Sequence, residues 1–100
     1  MSYRQIIIKQ TIQQTDASEH LVEEAFEKVF DRDKKIFESY LGDDEAKVAE
    51  VTKEANQKFD NWYNDLEEGW LQDTVYNVIA AIEQNSIYKE NFYELFEKED

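Results

Sequence analysis

The chain has no cysteine, no proline, one histidine and two glycines. Without cysteine there is no disulfide, no thiolate nucleophile and no cysteine-type zinc site. Two glycines, at 42 and 69, cannot build a glycine-rich phosphate cradle. One imidazole and four scattered serines leave no nucleophile with a base and an orienting partner. The longest apolar run, residues 78–82, is far short of a membrane span. The N-terminus lacks the basic, apolar and small-residue order of a secretory signal. Positive charge is scarce too: 11 Lys and Arg stand against 24 Asp and Glu, a net of −13. These shortages point to a cytoplasmic protein that is not an enzyme and uses no cofactor and no metal.

What remains is enough to fold. One hundred residues is the size of one domain, and the expectation is a single acidic helical domain over 1–100. Met1 reads as a natural start. The chain is 41 % apolar and 14 % aromatic, unlike a disordered acidic tail, which is poor in aromatics. A core of this size is modest, so pairing as a homodimer or with a partner is a natural supplement.

Helical periodicity organises most of the chain. Residues 1–15 are ambiguous: Ile6, Ile8 and Ile12 share a face of an extended strand, while Ile8 and Ile12 also fit a helical turn. No second strand exists to pair with it, so a short helix or an N-terminal arm is expected. Asp16 with Glu19 fits a capping box that opens a second helix. Val22, Ala25, Phe26, Val29, Ile36, Phe37 and Tyr40 form its stripe, as one helix or as two with Asp31 capping the second. A third helix is expected from about Asp44 to Glu68, with Val48, Thr52, Ala55, Phe59, Trp62 and Leu66 as a seam. A fourth runs from about Leu71 to Glu83, with Leu71, Val75, Val78, Ile79 and Ile82 inward. A fifth follows the caps Asn85 and Ser86, with Tyr88, Phe92, Leu95 and Phe96 inward. Gly42 and Gly69 are read as helix stops in the left-handed conformation. The fold class is therefore all-α, a small bundle of four to five helices.

Two local patterns suggest metals and both fail. His20 has Glu23 and Glu24 at i+3 and i+4, yet Ala17 stands where a Glu-x-x-His ligand pair needs its carboxylate. Asp31-Arg32-Asp33 opens like a calcium loop, but Ile36 falls at the position that must be glycine.

The acids carry the functional reading. Residues 1–15 hold Arg4 and Lys9 and no acid, whereas residues 59–88 hold six acids and no Lys or Arg. Glu19, Glu23, Glu27 and Asp31 recur every four residues and are expected to line one helix face, about 6 Å apart. Glu90, Glu94 and Glu97 form a second ladder. The three like-charge pairs of the first ladder oppose folding by about 0.6–1.5 kcal/mol together. Glu24 with Lys28, Asp31 with Lys35, Glu54 with Lys58 and Glu94 with Lys98 are expected to offset this. A solvated face is one explanation for such ladders. A binding face is the other, because carboxylates one helical turn apart fall at intervals like those of duplex phosphates. Asp65, Glu67, Glu68 and Asp73 add acids near the third and fourth helices. Tyr63, Trp70 and Tyr93 lie off the main stripes, and Trp70 and Tyr93 are the aromatic anchors expected beside the acids. The other aromatics of the second half read as core filling.

An acidic, aromatic-rich helical chain of this kind resembles the DNA mimics that phages and plasmids use against restriction enzymes and Cas nucleases. The resemblance is one of composition over the whole chain, with no shared motif. It implies an anti-restriction or anti-CRISPR type of inhibitor that occupies a basic surface of a nucleic-acid-binding protein. Neither nucleic acid nor membrane is expected to bind such a field directly. The partner-binding residues expected are Glu19, Glu23, Glu27, Asp31, Asp65, Glu67, Glu68, Trp70, Asp73, Glu90, Tyr93, Glu94 and Glu97. The alternative is a helical interaction protein without mimicry: an immunity protein, antitoxin, small chaperone or dimeric scaffold.

Overall fold

A computed structural model of the chain describes residues 2–97, and at 96 and 97 the backbone alone. Every regular element among these residues is a helix: α1 Tyr3–Thr15, α2 Glu19–Tyr40, α3 Glu45–Asn64, α4 Gly69–Gln84, α5 Ser86–Glu90 and α6 Phe92–Glu97. The all-α bundle expected from the periodicity is present. The fifth helix is broken in two at Asn91, whose φ of −115° and ψ of 21° leave the helical region. The expected inward position of Phe96 and the pairing of Glu94 with Lys98 lie outside the described residues.

The ambiguous N-terminal stretch is a helix. Ser2 and Gln5 close a capping box, each side chain meeting the other's backbone N–H. The inner face of α1 is Ile7, Ile8, Thr11 and Ile12, a 3.6-residue pattern with a polar residue in it. Thr11 is fully buried at no hydrogen-bonding loss, because its hydroxyl donates to the Ile7 carbonyl at 2.8 Å.

The break between α1 and α2 differs from the expected capping box. Asp16 adopts a left-handed φ of 59° and closes α1, its N–H donating to the Ile12 carbonyl at 2.8 Å. Ser18, not Asp16, caps α2, accepting from Leu21 N–H. α2 then runs unbroken through Asp31, so the two-helix alternative is not adopted. Its last turn overhangs the bundle and leaves Tyr40 exposed rather than in the stripe.

Neither glycine acts as a left-handed stop, since no glycine has a positive φ. Gly42 follows α2 in the turn to α3. Gly69 is the first residue of α4, and α3 has already ended at Asn64 with Asp65 as its cap.

The core is built by α1, α2 and α4 packed on one another, with Val22, Ala25, Phe26, Val29, Val75, Val78 and Ile82 at the centre. α5 covers α4 and α1 at one end, where Asn85 caps α5 and also donates to Gln10 of α1 at 2.9 Å. α3 packs chiefly on α2 as the second arm of an antiparallel hairpin. Its expected seam is half-buried, with Ala55 the one fully buried residue.

Polar ties fix the elements to each other. Arg32 donates to Asp33 and to Glu83 of α4, and its guanidinium lies 4.5 Å from the Phe59 ring centre of α3. Burial opposes the Arg32 charge, and the hydrogen bonds and charges of Asp33 and Glu83 outweigh it, leaving its pKa raised. Tyr88 of α5 donates to the other oxygen of Asp33 at 2.7 Å. Trp62 donates to Glu24 at 3.1 Å, tying α3 to the N-terminal half of α2.

Candidate functional site

The acids are distributed differently from two straight ladders. A four-residue step on a 3.6-residue helix drifts by about 40°, so Glu19, Glu23, Glu27 and Asp31 wind through about 120° of α2. The winding takes the last two members toward different neighbours. Glu27 accepts from Arg4 of α1 at 2.8 Å, while Asp31 sits 3.6 Å from Lys35 on the side facing α3. Glu19 and Glu23 are exposed. The expected single face is thus two open carboxylates and two that meet cations.

The second ladder is interrupted by the break at Asn91. Glu90 ends α5 and is exposed, while Glu94 lies in the first turn of α6 and is half-buried. Glu94 also accepts a hydrogen bond from Tyr3, and its charge, that bond and slight desolvation raise the Tyr3 hydroxyl above its ordinary pKa. The Glu97 side chain lies outside the described residues. Tyr93 is 57 % exposed and meets the Phe37 ring edge-on at 6.2 Å.

The corner between α3 and α4 gathers the remaining site residues. Leu66 N–H donates to the Tyr63 carbonyl, and the Glu68 carbonyl receives both Leu71 and Gln72 N–H at 3.0 Å. The Tyr63 hydroxyl donates to the Gln72 carbonyl, and the Gln72 amide returns to the Leu66 carbonyl at 3.0 Å. Tyr63 is therefore a half-buried brace and not a free surface aromatic. The brace holds the corner in one shape, and its outer side carries Asp65, Glu67, Glu68, Trp70 and Asp73, all exposed. Trp70 is 65 % exposed, with its indole N–H donating to the Glu68 carboxylate.

One residue of this surface is missed by the sequence reading. Tyr76 is 63 % exposed, one turn after Asp73. It falls off the 71, 75, 78, 82 stripe, and that offset is the signal that separates it from the core aromatics. Glu67 and Glu68 have a structural use as well, because acids at a helix N-terminus meet the positive end of its dipole. Trp70 and Tyr76 leave most of their surface in water, and exposed ring surface of this size is what a partner would cover.

His20 is exposed in the first turn of α2, and among the described residues no cluster of three His, Asp or Glu is placed to hold a metal ion. Among the same residues no helix is long and apolar enough to cross a membrane. No family model matches the chain, and neither does any curated protein or solved structure.

The Tyr88–Asp33 pair gives the molecule a defined alkaline limit. Burial first, and then the Asp33 charge, raise the Tyr88 hydroxyl far above its ordinary value of about 10. The folded state holds this proton where the unfolded chain releases it. The resulting stability is fully present below about pH 10 and declines as pH rises beyond it. Circular dichroism between pH 8 and 12 is expected to show unfolding with a steep tyrosine-linked component. Tyr88→Phe is expected to cost about 1.5–3 kcal/mol at neutral pH, through the hydrogen bond to a charged acceptor, and to flatten the alkaline slope. An unchanged slope in the variant would assign the alkaline limit to other groups.

Proposed function

We propose that the protein binds the basic surface of a nucleic-acid-binding protein and blocks it. The supporting observation is the braced α3–α4 corner, where Asp65, Glu67, Glu68, Trp70 and Asp73 are all exposed and Tyr76 is exposed one turn further along α4. Lysine and arginine are absent throughout 59–88, so this surface has no cation of its own. Acids speed the approach of a basic partner and select for it, and a ring fixed beside them gives an arginine side chain a face to stack on. Glu19 and Glu23 extend the negative field along α2. Phosphate mimicry in this reading is a matter of charge and shape at the corner, because the wound first ladder does not run as a straight row.

A second reading, an interaction protein without mimicry, draws on the same two aromatics. Exposed rings at the centre of an interface dominate binding energy, whereas charges at its edge set rate and salt dependence. The two readings separate on one experiment. Partners are captured from host lysate on the immobilised protein at low salt and at about 0.5 M salt, where exposed charges are screened within a few ångströms. Mimicry predicts loss of the partner at high salt and competition by duplex DNA. The alternative predicts retention at high salt and no competition.

With a partner in hand, Trp70→Ala is expected to weaken binding about 30-fold, the scale of a central aromatic anchor. The Glu67→Gln, Glu68→Gln and Asp73→Asn triple variant is expected to slow association and flatten its salt dependence, with a small loss of thermal stability from the weakened N-terminus of α4. Glu19→Gln with Glu23→Gln is expected to act in the same direction more weakly. Equal affinity in the triple variant and the parent across salt would remove the corner from the binding surface.

A further inference from the structure

We infer that the cleft between α2 and α3 is a binding site for a small multivalent oxyanion of the phosphate class. It is separate from the acidic surface. On α2, Lys28, Asp31, Arg32 and Lys35 fall at i, i+3, i+4 and i+7 and therefore form one stripe. α3 sets Lys58 opposite them, over a floor of Ala55 and Phe59. Four of the chain's 11 cations line this one cleft. Four cations less Asp31 give +3 among the lining residues, on a chain whose total is −13.

The four cations differ in how they are held. Arg32 is held by Asp33 and Glu83, with its guanidinium 4.5 Å from the Phe59 ring centre, so it forms the fixed wall of the cleft. Lys35 has Asp31 at 3.6 Å. Lys28 and Lys58 stand on opposite helices with no carboxylate within 4 Å among the described residues. The expected pairs of Glu24 with Lys28 and Glu54 with Lys58 are not made. Glu24 is turned to Trp62 instead.

This arrangement sets like charges against each other across the contact on which α3 chiefly depends. A chain so rich in acids has no shortage of carboxylates that could sit there. An anion that touches Lys28 and Lys35 on one side and Lys58 on the other removes the repulsion and joins the two helices. The cleft has about 20 Å³ of free volume, enough for one water-sized group such as a single anionic oxygen. The rest of the anion sits at the mouth, within reach of the flexible ammonium groups. A dianion matches three lysines better than a single carboxylate does. Glu24 and Glu54 bound the cleft along α2 and α3, so an extended polyanion such as a nucleic-acid strand meets repulsion on leaving it. The site suits an isolated oxyanion, either inorganic phosphate or a phosphate monoester.

The test is a ¹H–¹⁵N spectrum of the full chain, titrated with sodium phosphate against sodium chloride at matched ionic strength. Saturable shifts confined to the amides around Lys28, Arg32, Ala55, Lys58 and Phe59 are expected with phosphate and not with chloride. The Lys28→Gln and Lys58→Gln double variant, both changes being on the surface, is expected to fold and to lose the saturable shifts. Melting adds a second readout. Phosphate stabilises any protein somewhat by exclusion from its surface, and that part persists in the variant. The site-specific part is the extra rise in Tm of the parent, expected to be several degrees and to saturate. Glycerol phosphate as a parallel titrant identifies the source: tighter binding than inorganic phosphate assigns the site to a monoester, weaker binding to the free ion. Shifts that stay linear in phosphate, or that are the same in the double variant, overturn the proposal.

Discussion

Phe26→Ala is expected to destabilise the protein by about 3–5 kcal/mol, the range for truncating a buried phenylalanine. Phe26 is 1 % exposed, and its ring ties three elements. It stacks on Phe30 at 5.9 Å, meets Tyr88 of α5 edge-on at 5.9 Å, and has the Arg4 guanidinium of α1 at 5.2 Å. A domain of this size has about 5–15 kcal/mol in total, and a loss of this order lowers Tm by roughly 15–30 °C. Urea denaturation followed by tryptophan fluorescence measures it. Phe26→Leu retains most of the volume and is expected to cost less than about 1.5 kcal/mol. Equal losses for the two variants would mean that ring contacts, rather than volume, are what the site requires.

Arg32→Met is the second large effect, about 2–3 kcal/mol. Removing one partner of a buried ion pair costs about 3–5 kcal/mol, because the other charge is left uncompensated. The lower figure applies here because solvent reaches both acids: the Asp33 side chain is 27 % exposed and Glu83 42 %. Methionine keeps the apolar packing over Phe59, so the measured loss reports the charge and its hydrogen bonds. A double-mutant cycle with Glu83→Gln isolates the link between α2 and α4. A coupling of about 1–2 kcal/mol is expected, since the two side chains are in direct contact. A coupling near zero would place the stabilisation on Asp33 alone.

Much of the bundle is legible in the sequence because large apolar residues mark the inner faces. Val22, Ala25, Phe26 and Val29 on α2, and Val75, Val78 and Ile82 on α4, are read correctly from their spacing alone. α1 is harder, because Thr11 takes a core position. A buried hydroxyl satisfied by its own backbone looks, in sequence, like the polar side of a strand. Local signals misled where two structural uses share one residue type. Glycine after an apolar stripe suggests a stop, yet Gly69 opens a helix, since α3 has already ended at Asn64 with Asp65 as its cap. Asp16 and Ser18 are both good caps, and the left-handed turn at Asp16 decides between them. The surface was less legible than the core. A spacing of four looks like a straight row on paper, and only the drift of the helix and the placement of Arg4 divide it. Arg32 and Glu83 are 51 residues apart, and nothing local announces that they meet. The stripe of Lys28, Arg32 and Lys35 is visible in the sequence, but a total charge of −13 hides it.

The seating of α1 against α2, α4 and α5 also has a consequence in time. A ribosome makes residues 3–15 well before the α4 and α5 surfaces that cover them. At about 5–20 residues per second, some 70 residues of synthesis leave Ile6, Ile7, Ile8 and Ile12 waiting on the order of several seconds. Such a β-branched run, left uncovered, is a seed for wrongly paired strands. α2 emerges directly after it and offers Val22, Phe26 and Val29 as a temporary cover. The order of the helices along the chain therefore protects the nascent polypeptide before the finished bundle exists.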